Sequence, residues 1–116
     1  MPAPAAPNDH EVDDEADETA GLRQRYQTLV NDTLPATYTQ PIRFNHCFGR
    51  VVLDWLFGDV WYGHVERPAY RNLTADQLRG CIGRMERWLA DHDTLVSDNA
   101  ASLRLRGKQP SGERRA

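Results

Sequence analysis

The chain has two cysteines, a single lysine and no apolar run approaching the ~18 residues of a membrane-spanning helix. Each scarcity excludes something. Cys47 and Cys81 fall on different predicted helices and match no metal-ligand or redox spacing. Both sit among apolar neighbours, which predicts buried, reduced thiols. The N-terminus lacks the charged-then-apolar pattern of a secretory signal, so a cytoplasmic protein that does not enter the membrane is expected. Strand-like alternation of useful length, hairpin turns and internal repeats are also missing, and what remains reads as all-α.

At 116 residues the chain is one domain at most. Its net charge of −3 conceals an asymmetry. Asp9, Glu11, Asp13, Asp14, Glu15, Asp17 and Glu18 carry the N-terminal end without any base, which leaves residues 21–116 with 10 acids against 14 bases, or +4. A nucleic-acid module would show a stronger basic excess, so nucleic acid is not an expected partner. Residues 1–14 combine prolines, alanines and acids and are expected to form a disordered acidic tail. Residues 15–107 form a single helical domain on this reading, and 108–116 a flexible basic tail. A folded part of about 85 residues buries only ~60–65% of its unfolded surface, so its stability margin is expected to be thin.

Four helices are expected, the second of them central and buried on nearly all sides, with an aromatic connecting loop after it. The first runs from about Glu15 to Asp32 on the stripe Leu22, Tyr26, Leu29 and Val30, is stopped by Pro35, and is followed by an extended linker to Pro41. The second covers about Ile42 to Phe57 and ends at Gly58, placed for a left-handed cap. The third opens at Thr74, where Thr74-Ala-Asp-Gln77 fits a capping box, and carries Leu78, Cys81, Ile82, Met85 and Leu89, with Trp88 at the edge. The fourth, Thr94 to Arg106, is weakly patterned. Asn99, Ser102 and Arg106 share a face with Leu95, so that face borders either solvent or a polar site.

Seven of the ten aromatic residues lie between Ile42 and Leu73, with two of the four histidines. His46, Arg50 and Asp54 recur at i, i+4, i+8 and form one polar ridge on the central helix. That ridge reads in two ways. Arg50 and Asp54 form an internal ion pair, or the guanidinium clamps an anionic ligand while His46 moves a proton. Cys47 points about 100° away from His46, so His46 does not activate it as a nucleophile. His46, Asp54 and His64 match no known ligand spacing, and neither a metal nor a cofactor is expected. Arg67, Trp61 and Tyr70 on the loop complete a candidate binding set of His46, Arg50, Asp54, Trp61, His64, Arg67 and Tyr70.

Asn45-His46-Cys47-Phe48-x-Arg50-x-x-x-Asp54, then Trp61, then Arg67-Pro68-Ala69-Tyr70-x-x-Leu73-Thr74, resembles a family of short, mostly uncharacterised bacterial proteins. The resemblance spans about residues 42–106, including Asn99-x-x-Ser102-Leu103. Some members carry a GNAT-type acetyltransferase label, which implies an acetyl-CoA pyrophosphate loop of the form Arg/Gln-x-x-Gly-x-Gly/Ala. The nearest run here is Arg79-Gly80-Cys81-Ile82-Gly83, inside a predicted helix and differently spaced, so no catalytic residue is carried over. Two functional classes follow. One is a site for a small anionic or acyl ligand. The other is a protein-contact or homodimerising module that uses the aromatic loop 59–73.

Overall fold

The computed structural model describes the backbone of residues 5–107 and the side chains from Asp17 onward. The expected basic tail 108–116 lies outside the described residues, as do residues 1–4 of the expected acidic tail. The fold is all-α, with no strand among the described residues. Its helices are α1 (Ala5–Thr28), α2 (Leu34–Thr37), α3 (Asn45–Phe57), α4 (Ala69–Asn72), α5 (Ala75–Ala90) and α6 (His92–Leu105). The four-helix expectation therefore becomes six α-helical segments among the described residues, two of them a single turn long.

The first departure is at Pro35, which does not stop the helix. A five-residue π turn, Leu29–Thr33, joins α1 to α2, and the Leu34 amide donates to the Leu29 carbonyl five residues back. In an unbroken α-helix the pyrrolidine ring would collide with the carbonyl four residues earlier, and widening one turn relieves that collision. The stripe Tyr26, Leu29, Val30 and Leu34 is buried along this joined helix. The chain then turns extended at Tyr38. The Tyr38 hydroxyl donates to the Trp88 carbonyl at 2.9 Å, and its ring packs on His92 at 4.6 Å. These contacts fix the linker on the junction of α5 and α6.

α3 ends where the sequence indicates, with Gly58 left-handed at φ 65° and the Gly58 and Asp59 amides both bonded to the Asp54 carbonyl. It packs against the π turn, α5, α6 and the 3-10 turn Trp61–Gly63. Its burial goes nearly all round the helix at its middle but does not extend along its whole length. Phe48 and the run Val51–Asp54 are inside, whereas Trp55 is 37% exposed and lies under the Arg84 guanidinium at 4.9 Å. The connecting loop holds the 3-10 turn and α4, and Ala69 and Leu73 pack it onto the core.

α5 begins with the complete capping box. The Gln77 amide donates to Thr74 Oγ1 at 3.1 Å, and the Thr74 amide to Gln77 Oε1 at 2.9 Å. Its buried stripe is Leu78, Cys81, Ile82, Met85 and Trp88, so Trp88 sits inside the stripe and Leu89 at its margin. Burial pushes the Cys81 thiol up to about 12, which keeps it an inert core group. Asp91 ends α5 and caps α6, its carboxylate accepting from the Asp93 amide and the Thr94 hydroxyl.

Removing the cap hydroxyl isolates its contribution. Thr74→Ala is expected to cost about 1 kcal/mol, and Thr74→Ser to recover most of it. In thermal unfolding the alanine variant should lose ~4–8 °C.

Candidate functional site

α6 brings little apolar surface to the domain. Of its four buried residues, Leu95, Asp98, Asn99 and Ser102, three are polar. Buried polar groups persist only when paired, and here they are. Asp98 accepts both arms of Arg84, at 2.7 and 3.0 Å, and the Trp88 indole N–H at 2.8 Å. That triad ties α6 to α5. The sequence reading missed it, because a lone aspartate on a weakly patterned helix gives no spacing signal.

The second cluster ties α6 to α3. Asp54, 1% exposed, takes four donors on its two carboxylate oxygens. Arg106 Nε and Nη2 reach Oδ2 and Oδ1 at 3.1 and 3.0 Å, the Ser102 hydroxyl donates to Oδ2 at 2.6 Å, and the Trp61 amide donates to Oδ1 at 3.0 Å. The expected Arg50–Asp54 ion pair does not form, since Arg106 from the last turn of the domain occupies both oxygens. Arg50 instead donates to Asn99 Oδ1 at 2.8 Å and to the Ser102 hydroxyl at 3.3 Å. Asn99, Ser102 and Arg106 thus resolve the ambiguity of the fourth helix in favour of a polar site.

This arrangement leaves a charge over. Asp54 is balanced by Arg106, and Asp98 by Arg84. Arg50 contacts only neutral acceptors and pairs with no carboxylate among the described residues. Burial pulls its pKa below the usual arginine value; Arg106 adds to this, and Cys47 and Asp54 oppose it.

Arg50 also borders a cleft of about 330 Å³. Tyr26, Val30 and Asn31 form one wall, Asn45, His46, Gly49, Arg50 and Leu53 the floor, and Trp61, Ala69 and Tyr70 the other wall. The lining is mainly apolar. At one edge Asn45 Nδ2 donates to Asn31 Oδ1 at 3.0 Å, closing α3 against the π turn.

Of the seven candidate residues, His46, Arg50, Trp61 and Tyr70 therefore meet at one cleft. The other three do not line it. Asp54 is fully occupied within the network. His64 faces Asp59 at 3.2 Å and stacks on Phe57, and their hydrogen bond is the main cause that holds the Asp59 carboxyl below its ordinary value. Arg67 lies over the rings of Trp61 and Tyr62, at 5.1 and 5.4 Å. The His46 ring is exposed and stacked on Phe44. Tyr26, Val30, Asn31 and Gly49 were not nominated from the sequence; the first two read there simply as core. No group of three or more metal-ligating side chains occurs among the described residues, and no described helix is long and apolar enough to cross a membrane.

Asp54→Asn keeps the shape of the side chain and removes its charge, leaving Arg106 buried without a counter-ion. Breaking such a pair costs about 3–5 kcal/mol, so urea unfolding should move to much lower concentration. A loss under about 1 kcal/mol would place the pair with ordinary surface bridges. Comparison of the chain with protein-family models, with curated proteins and with solved structures finds no match.

Proposed function

We propose that the cleft binds a small ligand with an apolar body and one anionic end, most simply a carboxylate or acyl acid, with Arg50 as its counter-charge. The observation that carries this reading is the uncompensated, partly buried guanidinium at an apolar cleft. A cation drawn out of water without a partner is unfavourable, and an incoming carboxylate supplies the partner. Arginine presents several donors in one plane, so it can keep Asn99 and Ser102 while it receives an anion. Trp61, Tyr70 and Leu53 offer the apolar contact, and His46 stands at the exposed end as a second polar side chain. The volume falls at the lower end of the ~300–1,000 Å³ typical of ligand pockets, which favours a compact ligand. Acetyl transfer is no part of this reading, because the Arg79–Gly83 run lies within α5 and leaves no loop to cradle a pyrophosphate.

A titration followed by Trp61 fluorescence and calorimetry tests it. Straight-chain acids from butyrate to octanoate should bind, and the matching primary amides should bind about tenfold or more weakly. Arg50→Gln should stay folded and reduce acid affinity by about 10- to 100-fold, the range for hydrogen bonds to a charged group. Equal binding of acid and amide would overturn the reading. An acetyl-CoA titration with no heat would separately remove acetyl transfer.

One observation favours the interaction reading as well. Tyr62 is 53% exposed on the loop and faced by two guanidiniums, Arg67 at 5.4 Å and Arg106 at 5.5 Å, and tyrosine with arginine is typical of contact hot spots. If this surface mediates self-association, sedimentation velocity should show a dimer that Tyr62→Ser returns to monomer. A concentration-independent monomer would count against it.

A further inference from the structure

Exposed arginines along α1 and α5 each have a carboxylate: Arg25 meets Glu86, Arg79 meets Glu18 and Asp76, and Arg87 meets Asp91. Around the aromatic loop they stand on rings instead. Arg67 lies over Trp61 and Tyr62, Arg71 over Tyr70 at 5.7 Å, and Arg43 over Phe44 at 5.2 Å. None of these three pairs with a carboxylate among the described residues. Trp61 and Tyr70 line the cleft, as does His46, which stacks on Phe44, so all three guanidiniums are carried by rings at or beside it. Stacking occupies the flat face of a guanidinium and leaves its N–H edges for an acceptor in the plane. Within the loop Asp59 is taken by His64, which leaves Glu66 as its one other acid. The carboxylates that match this surface are at the start of the same chain, where residues 1–18 hold seven acids and no Lys or Arg. Glu18 on Arg79 and Arg25 on Glu86 set α1 parallel to α5, so Asp14 is level with Ala75, and Asp9, Glu11 and Asp13 lie ahead of the first residue of α5. At 1.5 Å per residue, a straight helix holds Asp9 to Asp17 about 14–26 Å along its axis from Tyr26 at the cleft wall.

We infer that the acidic start of α1 in one copy of the chain docks on the arginine-and-ring surface of a second copy. The inference rests on the self-association reading of the loop, is independent of the ligand reading of the cleft, and names the segment that the loop receives. A helix that holds its acids away from its own cleft can lay them on another's, and two copies can do so reciprocally, as a closed two-fold contact requires. The free edges of Arg43, Arg67 and Arg71 supply charge-assisted hydrogen bonds to the incoming carboxylates. Tyr62 and Trp61 supply apolar contact beneath them, the combination that dominates contact surfaces.

Sedimentation velocity of the full chain over a concentration series reads the dimer Kd. Raising salt from roughly 0.05 to roughly 0.5 M should weaken the dimer about tenfold or more, since exposed charge pairs are screened. A full-length variant with Asp9→Asn, Glu11→Gln, Asp13→Asn, Asp14→Asn and Glu15→Gln should weaken it to a similar extent at low salt, and so should Arg67→Gln combined with Arg71→Gln. Charge reversal separates direct pairing from a general effect of charge. A chain with Arg67→Glu and Arg71→Glu, and a chain with the same five acids changed to lysine, should each be monomeric alone and form a heterodimer when mixed, because both contacts are then attractive. Failure of the mixed chains to pair would overturn the inference. A dimer that Tyr62→Ser dissolves, but that salt and the neutralised acids leave unchanged, would overturn it while leaving the loop reading intact. A concentration-independent monomer would overturn both.

Discussion

The domain depends on a buried carboxylate with four donors. α6 has only Leu95 as a buried apolar residue, with Val96 and Leu105 exposed, so hydrophobic burial alone does not attach it. Asp54 provides the attachment. Its oxygens gather Ser102 from α6, Arg106 from just past its end and the Trp61 amide from the loop, while its own carbonyl accepts the amides that close α3. One residue thereby sets the end of a helix, the start of the aromatic loop and the seat of the last helix. Such a cluster stabilises only when every member is satisfied, because each charge has given up water to join it.

The same completeness gives Arg50 its character. Were Arg106 absent, Arg50 would be drawn to Asp54 one helical turn away, and the cleft would border a neutral pair. Because Arg106 saturates Asp54, Arg50 is held by neutral acceptors and keeps its whole charge towards the cleft. The structural network and the candidate site are therefore one electrostatic system. The carboxylate that fastens α6 is also what frees the guanidinium beside it.

Much of this was legible in the sequence wherever a signal is local. The capping box at Thr74, the left-handed stop at Gly58 and the buried stripe of α5 each depend on residues within one or two turns, and each is present. The polar face of α6 was visible as Asn99, Ser102 and Arg106, although helical spacing could not say which partner they would meet. What could not be read is long-range choice. Arg50 and Asp54 lie on the same face of one helix, and only the approach of α6 from about fifty residues away decides that they do not pair. The far wall of the cleft was hidden for a similar reason, since Tyr26 and Val30 follow the pattern of core residues and become lining only where α3 passes with a glycine.

The π turn before Pro35 has a consequence for helix phase. Tyr26 and Leu34 are eight residues apart, and on a regular α-helix at about 100° per residue they would point about 80° from one another. The wide turn absorbs roughly one residue of rotation, which brings them to within about 20°. Leu34 is locked in the core, so this added residue sets the bearing of everything upstream of it. Shortening the turn by one residue would swing the whole wall formed by Tyr26, Val30 and Asn31 away from α3. A proline that first reads as a stop is thus accommodated by the turn that sets the bearing of the Tyr26 side chain at the cleft wall.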